Sequence, residues 1–200
     1  MKTIRITAWT LVCVLLLGTV SGCGQKKNKV DEEVVEEVVE EAPVETCITA
    51  VDRYLVDSIG KFYSPAEICI PGHNYIAVDE TNADDILVWG DFWVMNYNQA
   101  GDTLKSVSGG NHPGLMHVRK IDDNHFEVVS FDEVEAGTGN DPSARRIFGD
   151  KYPEYQAAHS DDKKREATIL EAIAEYVQNN GLSVTMCQDY GWPAVELPIE

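Results

Sequence analysis

The predicted strand Ile86–Asn98 contains Asp91, the acidic side chain whose surroundings best suit a catalytic role. Both faces of its alternating pattern are largely apolar, which predicts a central strand covered on both sides. Asp91 stands between Trp89 and Trp93 on one face. Burial among aromatic rings raises the pKa of a carboxyl group unless a hydrogen bond or a cation compensates. Asp91 is therefore a candidate general base, with a structural carboxylate that accepts backbone N–H bonds near Gly90 as the alternative.

A second candidate site is the segment Ser108–Gly114, which is rich in small residues and lies between two predicted strands. Consecutive backbone N–H groups there could bind an anion, and His112 could donate a proton. The pairs Gly109-Gly110 and Pro113-Gly114 predict a bulge or an exposed loop instead of regular strand pairing. His112 is therefore the predicted catalytic partner of Asp91.

Ligand contacts are predicted at Trp93, Tyr97, Asn111 and His117. A metal site at His112 and His117 is not favoured, because residues five positions apart on a strand point to opposite faces unless Pro113-Gly114 bends the chain. The sequence also contains no Cys-x-x-Cys and no His-x-x-x-His pattern. We therefore expect neither a metal ion nor another cofactor.

Cysteine chemistry has little support in the sequence. Cys47, Cys69 and Cys187 remain in the predicted mature domain, apart from Cys23. Export would permit a disulfide, and three cysteines allow three different single pairings. No local pattern supplies a histidine base for a nucleophilic cysteine. The sequence predicts either one disulfide or free buried thiols.

The elements that would position these residues follow from hydrophobic spacing. Apolar residues between Ile48 and Phe62 recur at helical intervals, and Ser64-Pro65 ends that helix. Pro71-Gly72 predicts a turn, and strand-like segments follow it at residues 75–79, 86–98, 103–107, 115–121 and 125–134. Their short connections imply antiparallel neighbours, so we expect a curled meander of four or five strands.

Two further helices are predicted after the sheet. Asp141-Pro142 has the pattern of an N-cap followed by proline, and this helix would reach Phe148. Ser160 opens a second helix that ends at Asn180-Gly181, and residues 183–188 could add a strand. The expected fold class is therefore α+β, with an N-terminal helix and additional C-terminal helices packed on one face of the sheet.

Aromatic residues near the C-terminus have separate interpretations. Phe148, Tyr152 and Tyr155 have helical spacing, which favours packing over recognition. Tyr190 and Trp192 would either cover the sheet as a plug or contact a ligand from an exposed position. The sequence leaves these two alternatives open.

The order of a long first helix and a curled antiparallel sheet is similar to the cystatin-like superfamily, which includes the nuclear-transport-factor-like cone folds. The similarity covers residues 47–135. It implies a cone-shaped pocket in which an acid such as Asp91 can act as a base. Protease inhibitors of this superfamily carry a QxVxG loop, which this sequence lacks at the expected turn, so we do not expect an inhibitor.

The N-terminus has the pattern of an export signal. Two basic residues, Lys2 and Arg5, precede an apolar run from Trp9 to Val20. The run of about a dozen residues is shorter than the roughly 20 that a membrane-spanning helix needs. The following Val20-Ser21-Gly22-Cys23 resembles the lipobox of bacterial lipoproteins. This resemblance implies cleavage before Cys23, a diacylglyceryl group on its thiol and a fatty acid, such as palmitate, on its amino group.

An acidic tether is expected between this anchor and a single globular domain, residues 46–200. Residues 24–45 contain three lysines, eight acidic residues and no aromatic residue. Four valines in this segment could form a short helical stripe, but they cannot offset the ordering entropy, so a disordered linker is expected. The domain would then lie in the periplasm or outside the cell, anchored to the cell membrane or the outer membrane. The absence of an Asp directly after Cys23 favours the outer membrane.

The charge of the expected domain excludes one class of partner. The chain has 16 basic and 34 acidic residues, of which five and eight precede Thr46, so residues 46–200 carry a net charge of −15. Nucleic acid and anionic membrane surfaces are therefore disfavoured as partners. The sequence predicts a binding module for a small molecule, a glycan or an envelope protein. The alternative is a hydrolase or isomerase that uses Asp91 and His112.

Overall fold

The computed structural model describes residues 45–199. They form one mixed sheet of seven strands together with helices, so the predicted α+β class is confirmed. The predicted signal peptide, Cys23 and residues 24–44 of the predicted tether lie outside the described residues. Within residues 45–199, no helix is long and apolar enough to cross a lipid bilayer.

The first helical segment changes its geometry along its length. Helix α1 spans Cys47–Tyr54 and continues as a π-helix over Leu55–Ile59 and a 3-10 helix over Gly60–Phe62. Thr46 caps its start, because the threonine hydroxyl accepts a hydrogen bond from a backbone N–H of the first turn at 3.2 Å. The predicted single helix between Ile48 and Phe62 is thus three consecutive segments with different hydrogen-bond patterns.

Seven strands form the sheet, whereas four or five strands and one possible further strand at residues 183–188 were expected. They are β1 (Ile68–Asp79), β2 (Ile86–Ala100), β3 (Thr103–Asn111), β4 (Gly114–Asp122), β5 (His125–Glu133), β6 (Met186–Gln188) and β7 (Val195–Glu196). The number differs because the two short C-terminal strands extend the sheet beside β3. Strand β6 pairs with β3 in parallel, which makes the sheet mixed.

Strand β2 is the centre of the sheet. Strand β1 pairs along one of its edges, while β4 pairs with residues 86–90 and β3 with residues 93–100 on the other edge. Strands β3 and β4 therefore follow one another along β2, and His112 and Pro113 form the break between them. The expected meander is interrupted here, because β4 pairs with β2 instead of β3. Most side chains of β2 are buried, which confirms its predicted central position.

Three helices, instead of the predicted two, follow the meander. They are α2 (Asn140–Phe148), α3 (Tyr152–Ser160) and α4 (Asp162–Asn179). Helix α3 was not expected because Tyr155 is its one fully buried residue, so it lacks the apolar periodicity that identifies an amphipathic helix.

The helices cover both faces of the sheet, so the prediction that they pack on one face is wrong. Buried side chains of α1 form a core with Phe92 and Val94. On the opposite face, Ile173 and Val177 of α4 form a second core with Trp93. Successive side chains of a strand point to opposite faces, so the two apolar faces of β2 require a cover on each side.

Of the bulge and the exposed loop expected at Gly109-Gly110, the loop is absent, and a register shift lies just before these glycines, between Ser106 and Ser108. Both glycines lie within β3, opposite Met95 and Val94 of β2. A Cβ atom on Gly109 would overlap the backbone carbonyl of Val94, and one on Gly110 would overlap the hydroxyl of Tyr63. The missing Cβ atoms therefore allow the Val94 carbonyl and the Tyr63 hydroxyl to lie close to these glycines. Gly109 and Gly110 form no loop that could bind the predicted anion.

Strand β1 starts earlier than the sequence pattern indicates. It begins at Ile68 and runs through Pro71 and Gly72, where a turn seemed to precede the first strand. Proline is tolerated because β1 pairs with β2 alone among the described strands and is an edge of the sheet.

The carboxylate of Glu45 links the first described residues to the start of β5 through hydrogen bonds. It accepts hydrogen bonds from the backbone N–H of Phe126 at 3.0 Å, from Nδ1 of His125 at 2.9 Å and from the guanidinium of Arg53. Burial acts to raise the pKa of Glu45, but these hydrogen bonds outweigh it and the pKa is lower than usual. The chain therefore enters the domain at a fixed point.

Candidate functional site

Asp91 lies at the end of a buried polar cluster, with no surface accessible to solvent. Its Oδ1 accepts a hydrogen bond from Nδ2 of Asn111 at 2.6 Å. Its Oδ2 lies 3.1 Å from Nδ1 of His159 and 3.8 Å from Nε of Arg165. Polar side chains of β3, α3 and α4 therefore offset the cost of burying this carboxylate. Backbone N–H groups near Gly90, the expected alternative, do not contact it.

The cluster joins the α3–α4 corner to the sheet. The ring of His159 stacks on Tyr155 at 5.1 Å between centroids, and Tyr155 stacks on Phe148 at 4.1 Å. Burial raises the pKa of Tyr155 to about 12, and the negative charge of Asp91 adds to this effect. A carboxylate with these contacts positions helices, and no substrate can reach it in this arrangement.

His112 belongs to a different constellation. Its Nε2 lies 2.7 Å from the hydroxyl of Tyr63, and its Nδ1 lies 2.6 Å from Oε1 of Glu133. We call these three side chains the Tyr63–His112–Glu133 relay. The side chains of Asp91 and His112 have separate hydrogen-bond partners, so the structure does not bring the two predicted catalytic residues together.

Three different elements hold the relay in place. Tyr63 directly follows the 3-10 segment, and Glu133 ends β5. The backbone N–H of His112, at the break between β3 and β4, donates to the carbonyl of Phe92 at 2.7 Å. Burial raises the pKa of Tyr63, and the charge of Glu133 raises it further.

The predicted ligand contacts do not gather in one place. Trp93 and Tyr97 are 4% and 7% exposed and lie in the core beneath α4. Asn111 holds Asp91, as described above, and also donates to the carbonyl of Phe92. His117 is partly exposed on β4, where its Nδ1 lies 2.7 Å from Asp85. None of these four side chains shares a hydrogen bond with another of them.

Each of the five histidines of the sequence has its Nδ1 atom within 3.1 Å of a carboxylate oxygen. The pairs are His73–Asp52, His112–Glu133, His117–Asp85, His125–Glu45 and His159–Asp91. A carboxylate only accepts hydrogen bonds, so it fixes the proton of a neutral imidazole on Nδ1. Over residues 45–199, no group of three or more potential ligands has the geometry of a metal site.

The three cysteines of the domain are free. Burial raises the pKa of Cys47 to about 12, and a hydrogen bond from its thiol to Glu80 at 3.0 Å contributes. Burial also raises the pKa of Cys69 and that of Cys187. Of the two alternatives that the sequence left open, the structure has free thiols, and their raised pKa values disfavour the reactive thiolate.

Two shallow clefts lie on the described surface. One, of about 220 Å³, lies between α1 and β5 beside Arg53, Asp57 and Glu127. The other, of about 380 Å³, lies between α4 and β7 beside Leu170 and Leu197. Asp91 and His112 line neither cleft.

A turn between β6 and β7 exposes two aromatic side chains. Tyr190 is 89% exposed and Trp192 is 70% exposed. The backbone N–H of Trp192 donates to the carbonyl of Asp189 at 3.1 Å, and Gly191 has a φ of +78°, which suits the third position of a tight turn. We call residues 189–192 the aromatic turn. The exposure of both side chains rules out the predicted plug, whereas the predicted ligand contact stays a prediction.

Further hydrogen bonds order the backbone of the aromatic turn. The amide of Gln188 donates to the carbonyl of Trp192 at 2.8 Å, and the N–H of Tyr190 donates to the carboxylate of Asp189 at 2.7 Å. The two aromatic rings are therefore held in the solvent by a structured backbone.

The comparisons with known proteins add no family to this description. No protein-family model, curated protein sequence or solved structure matches the chain.

Proposed function

We propose that this chain is a lipoprotein of the bacterial cell envelope whose globular domain is a binding module. The support for the anchor is the lipobox-like Val20-Ser21-Gly22-Cys23 after a short apolar run, followed by the acidic segment 24–45. In this proposal Cys23 carries the lipid, and the domain lies in the periplasm or outside the cell.

The aromatic turn is the observation that carries the binding function. Large aromatic side chains are normally buried, because each removes about 150–250 Å² of surface from water when it packs. Tyr190 and Trp192 remain exposed although the backbone around them is ordered by hydrogen bonds. Rigid, exposed Tyr and Trp residues supply contact area at little cost in conformational entropy, which is a property of recognition surfaces.

We assign a glycan as the ligand of this turn. The electron-rich face of an aromatic ring attracts the weakly positive C–H groups on one face of a sugar ring. Next to these rings, Asp189 and Gln188 offer oxygen atoms that can accept hydrogen bonds from sugar hydroxyls. The net charge of −15 over residues 46–200 favours a neutral glycan over an anionic one.

The finer fold assignment is part of the same proposal. Helix α1 followed by the antiparallel strands β1–β5 has the order of elements of the cystatin-like superfamily. In this chain the space between α1 and the sheet is occupied by fully buried side chains, among them Phe92, Val94 and Met116. The geometry therefore supports binding on the outer surface over binding inside a cone.

The alternative of a hydrolase or isomerase based on Asp91 and His112 has less support. Asp91 is completely buried, and the two side chains have different partners. A general base must reach its substrate directly or through one water molecule.

Binding to insoluble envelope polysaccharide tests the proposed function. The intact chain in detergent should sediment with the polysaccharide, and Trp192→Ala and Tyr190→Ala should each reduce the bound fraction severalfold. Phe62→Ala is the matched control, because Phe62 is an aromatic residue that is 85% exposed at another place. Equal loss in all three variants, or no loss in either turn variant, would contradict the assignment of the turn.

A second measurement separates glycan from protein ligands. Trp93 is buried and Trp192 is exposed, so the tryptophan emission that a ligand changes should come from Trp192. Soluble oligosaccharides prepared from the polysaccharide should shift this emission in the wild type and not in Trp192→Phe. Binding that survives complete enzymatic removal of glycan from the envelope fraction would instead indicate a protein partner.

A further inference from the structure

The Tyr63–His112–Glu133 relay is a chain of three titratable groups that neither the lipid anchor nor the aromatic turn uses. Its two hydrogen bonds are short, 2.7 Å between Tyr63 and His112 and 2.6 Å between His112 and Glu133. A carboxylate, an imidazole and a hydroxyl in this order are the arrangement by which a general base activates a nucleophile.

The hydrogen-bonding capacity of each group determines which atom carries each proton. The Glu133 carboxylate only accepts, so the neutral imidazole of His112 carries its proton on Nδ1 and presents a lone pair at Nε2. The hydroxyl of Tyr63 then donates to Nε2. The phenol oxygen keeps lone pairs that are free to attack an electrophile.

The sheet is shaped around this hydroxyl. Gly110 has no Cβ, and the hydroxyl of Tyr63 occupies the volume that such an atom would fill. The ring of Tyr63 meets that of His112 edge to face, with centroids 5.7 Å apart. Packing at Gly110 and the hydrogen bond to His112 therefore hold the phenol oxygen in one position.

All three side chains of the relay are at least partly exposed to solvent. Tyr63 is partly exposed, and the side chains of His112 and Glu133 are 13% and 45% exposed. This distinguishes the relay from the buried Asp91–His159 pair, whose carboxylate has no accessible surface. Burial raises the pKa of Tyr63, so the phenol stays protonated near neutral pH and its reactivity depends on a base.

We propose that Tyr63 is a nucleophile for acyl groups from small, uncharged esters, with His112 as its general base and Glu133 as a positioning residue. The phenol oxygen forms a bond to the acyl carbon while its proton moves to Nε2 of His112. The bond between the acyl carbon and the ester oxygen breaks, and the leaving alcohol takes the proton from His112. The product is an acylated Tyr63.

Water completes the cycle. It attacks the acyl carbon and gives a proton to Nε2 of His112, and the bond to the Tyr63 oxygen then breaks. The phenol recovers its proton from His112, so the overall reaction is ester hydrolysis. A phenol is a better leaving group than an aliphatic alcohol, since its pKa of about 10 is lower, and the acyl group is therefore not trapped on the protein.

The decisive experiment compares Tyr63 with Tyr190 in one molecule. The intact chain in detergent is treated with an aryl sulfonyl fluoride, which transfers its sulfonyl group to a phenol oxygen and releases fluoride. Peptide mass spectrometry then gives the rate at each tyrosine. Tyr190 is 89% exposed and has no hydrogen bond from its hydroxyl to another described residue, so it is the matched control for accessibility.

Tyr63 should react at least about tenfold faster than Tyr190, since general-base catalysis contributes roughly 10²–10⁴-fold in enzymes. In His112→Gln the advantage should disappear while Tyr190 reacts as before. Equal rates at the two tyrosines of the wild type would overturn the proposal. An unchanged rate at Tyr63 in a folded His112→Gln variant, with a normal circular dichroism spectrum, would also overturn it.

Turnover and the role of Glu133 need separate measurements. With p-nitrophenyl acetate, release of nitrophenolate should fall severalfold in Tyr63→Phe, and retained release would refute the nucleophile. Glu133→Gln should slow acylation of Tyr63, and nitrogen NMR shifts of His112 should report a larger share of the tautomer protonated at Nε2. An unaltered tautomer together with unaltered acylation would remove Glu133 from the mechanism.

Discussion

The Oδ2 atom of Asp91 lies 3.1 Å from Nδ1 of His159, although the two residues are 68 positions apart in the chain. This contact joins the central strand to the end of α3, and Arg165 of α4 approaches the same oxygen at 3.8 Å. The residue with the strongest catalytic signature in the sequence thus connects two layers of the fold.

Replacement of Asp91 by Asn should destabilise the domain by about 3 kcal/mol, because removal of one partner of a buried ion pair leaves the others without compensation. His159 and Arg165 are partly exposed, so water would recover some of this loss. Urea unfolding followed by circular dichroism measures the change. The control is Asp123→Asn. The side chain of Asp123 is 98% exposed, so the unfolding free energy of this variant should stay within about 0.5 kcal/mol of the wild type.

Gly110→Ala should cost about 1–3 kcal/mol, since its methyl group would overlap the hydroxyl of Tyr63 and force the ring or the strand to move. The same substitution in a Tyr63→Ala background should cost less, because the overlapping atoms are gone. A double-mutant cycle of unfolding free energies measures this coupling. Strictly additive effects would mean that Gly110 does not accommodate Tyr63.

The contribution of Glu45 to stability should depend on pH. Its pKa is lowered in the folded protein, so its stabilising effect is present above the unfolded pKa of about 4.3 and is lost as the pH falls through the lower folded value. The difference in unfolding midpoint between wild type and Glu45→Gln should therefore shrink on acidification. The variant Glu154→Gln, at an exposed position of α3, serves as the control. A difference that is constant with pH would show that the charge of Glu45 has no part in its contact with β5.

Lipidation of Cys23 is tested in cells by growth with a radiolabelled fatty acid. The wild type should incorporate the label and partition into membranes, whereas Cys23→Ser should remain unlabelled. Cys47→Ser is the matched control, because Cys47 lies inside the folded domain and should not affect labelling. Equal labelling of wild type and Cys23→Ser would refute the proposed anchor.

Sequence patterns predicted what depends on local periodicity. The double-sided apolar alternation of residues 86–98 predicted the central strand, and Ser160 predicted the start of α4 to within two residues. Helix α3 was missed because a helix is recognised in a sequence by apolar residues that recur on one face, and Tyr155 is the one buried residue of this helix. Pro71 and Gly109 were expected outside regular strand pairing, whereas both lie within strands. An edge strand tolerates proline, and only glycine leaves room for the Val94 carbonyl beside position 109.

The candidate site depended on contacts that no local pattern encodes. The sequence singled out His112 as a partner of Asp91, but the side chains that contact it lie 49 positions before it and 21 positions after it. Tyr63 carried no signal beyond its place before the Ser64-Pro65 helix end. Asn111 was predicted to contact a ligand and instead satisfies Asp91, which the sequence could not show because that pairing requires the register of β2 and β3.

The fixed point at Glu45 also determines how the domain would respond to mechanical tension. Glu45 is bound where β5 begins, close to the start of β2, whereas the aromatic turn follows β6, which pairs with β3 near the end of β2. The two points are separated along the strand by on the order of 30 Å. In the proposed envelope setting, a pull between lipid and glycan would run parallel to β2. Its ladder hydrogen bonds would then be sheared together instead of opening one at a time, so the central strand would resist extraction while the ligand is held.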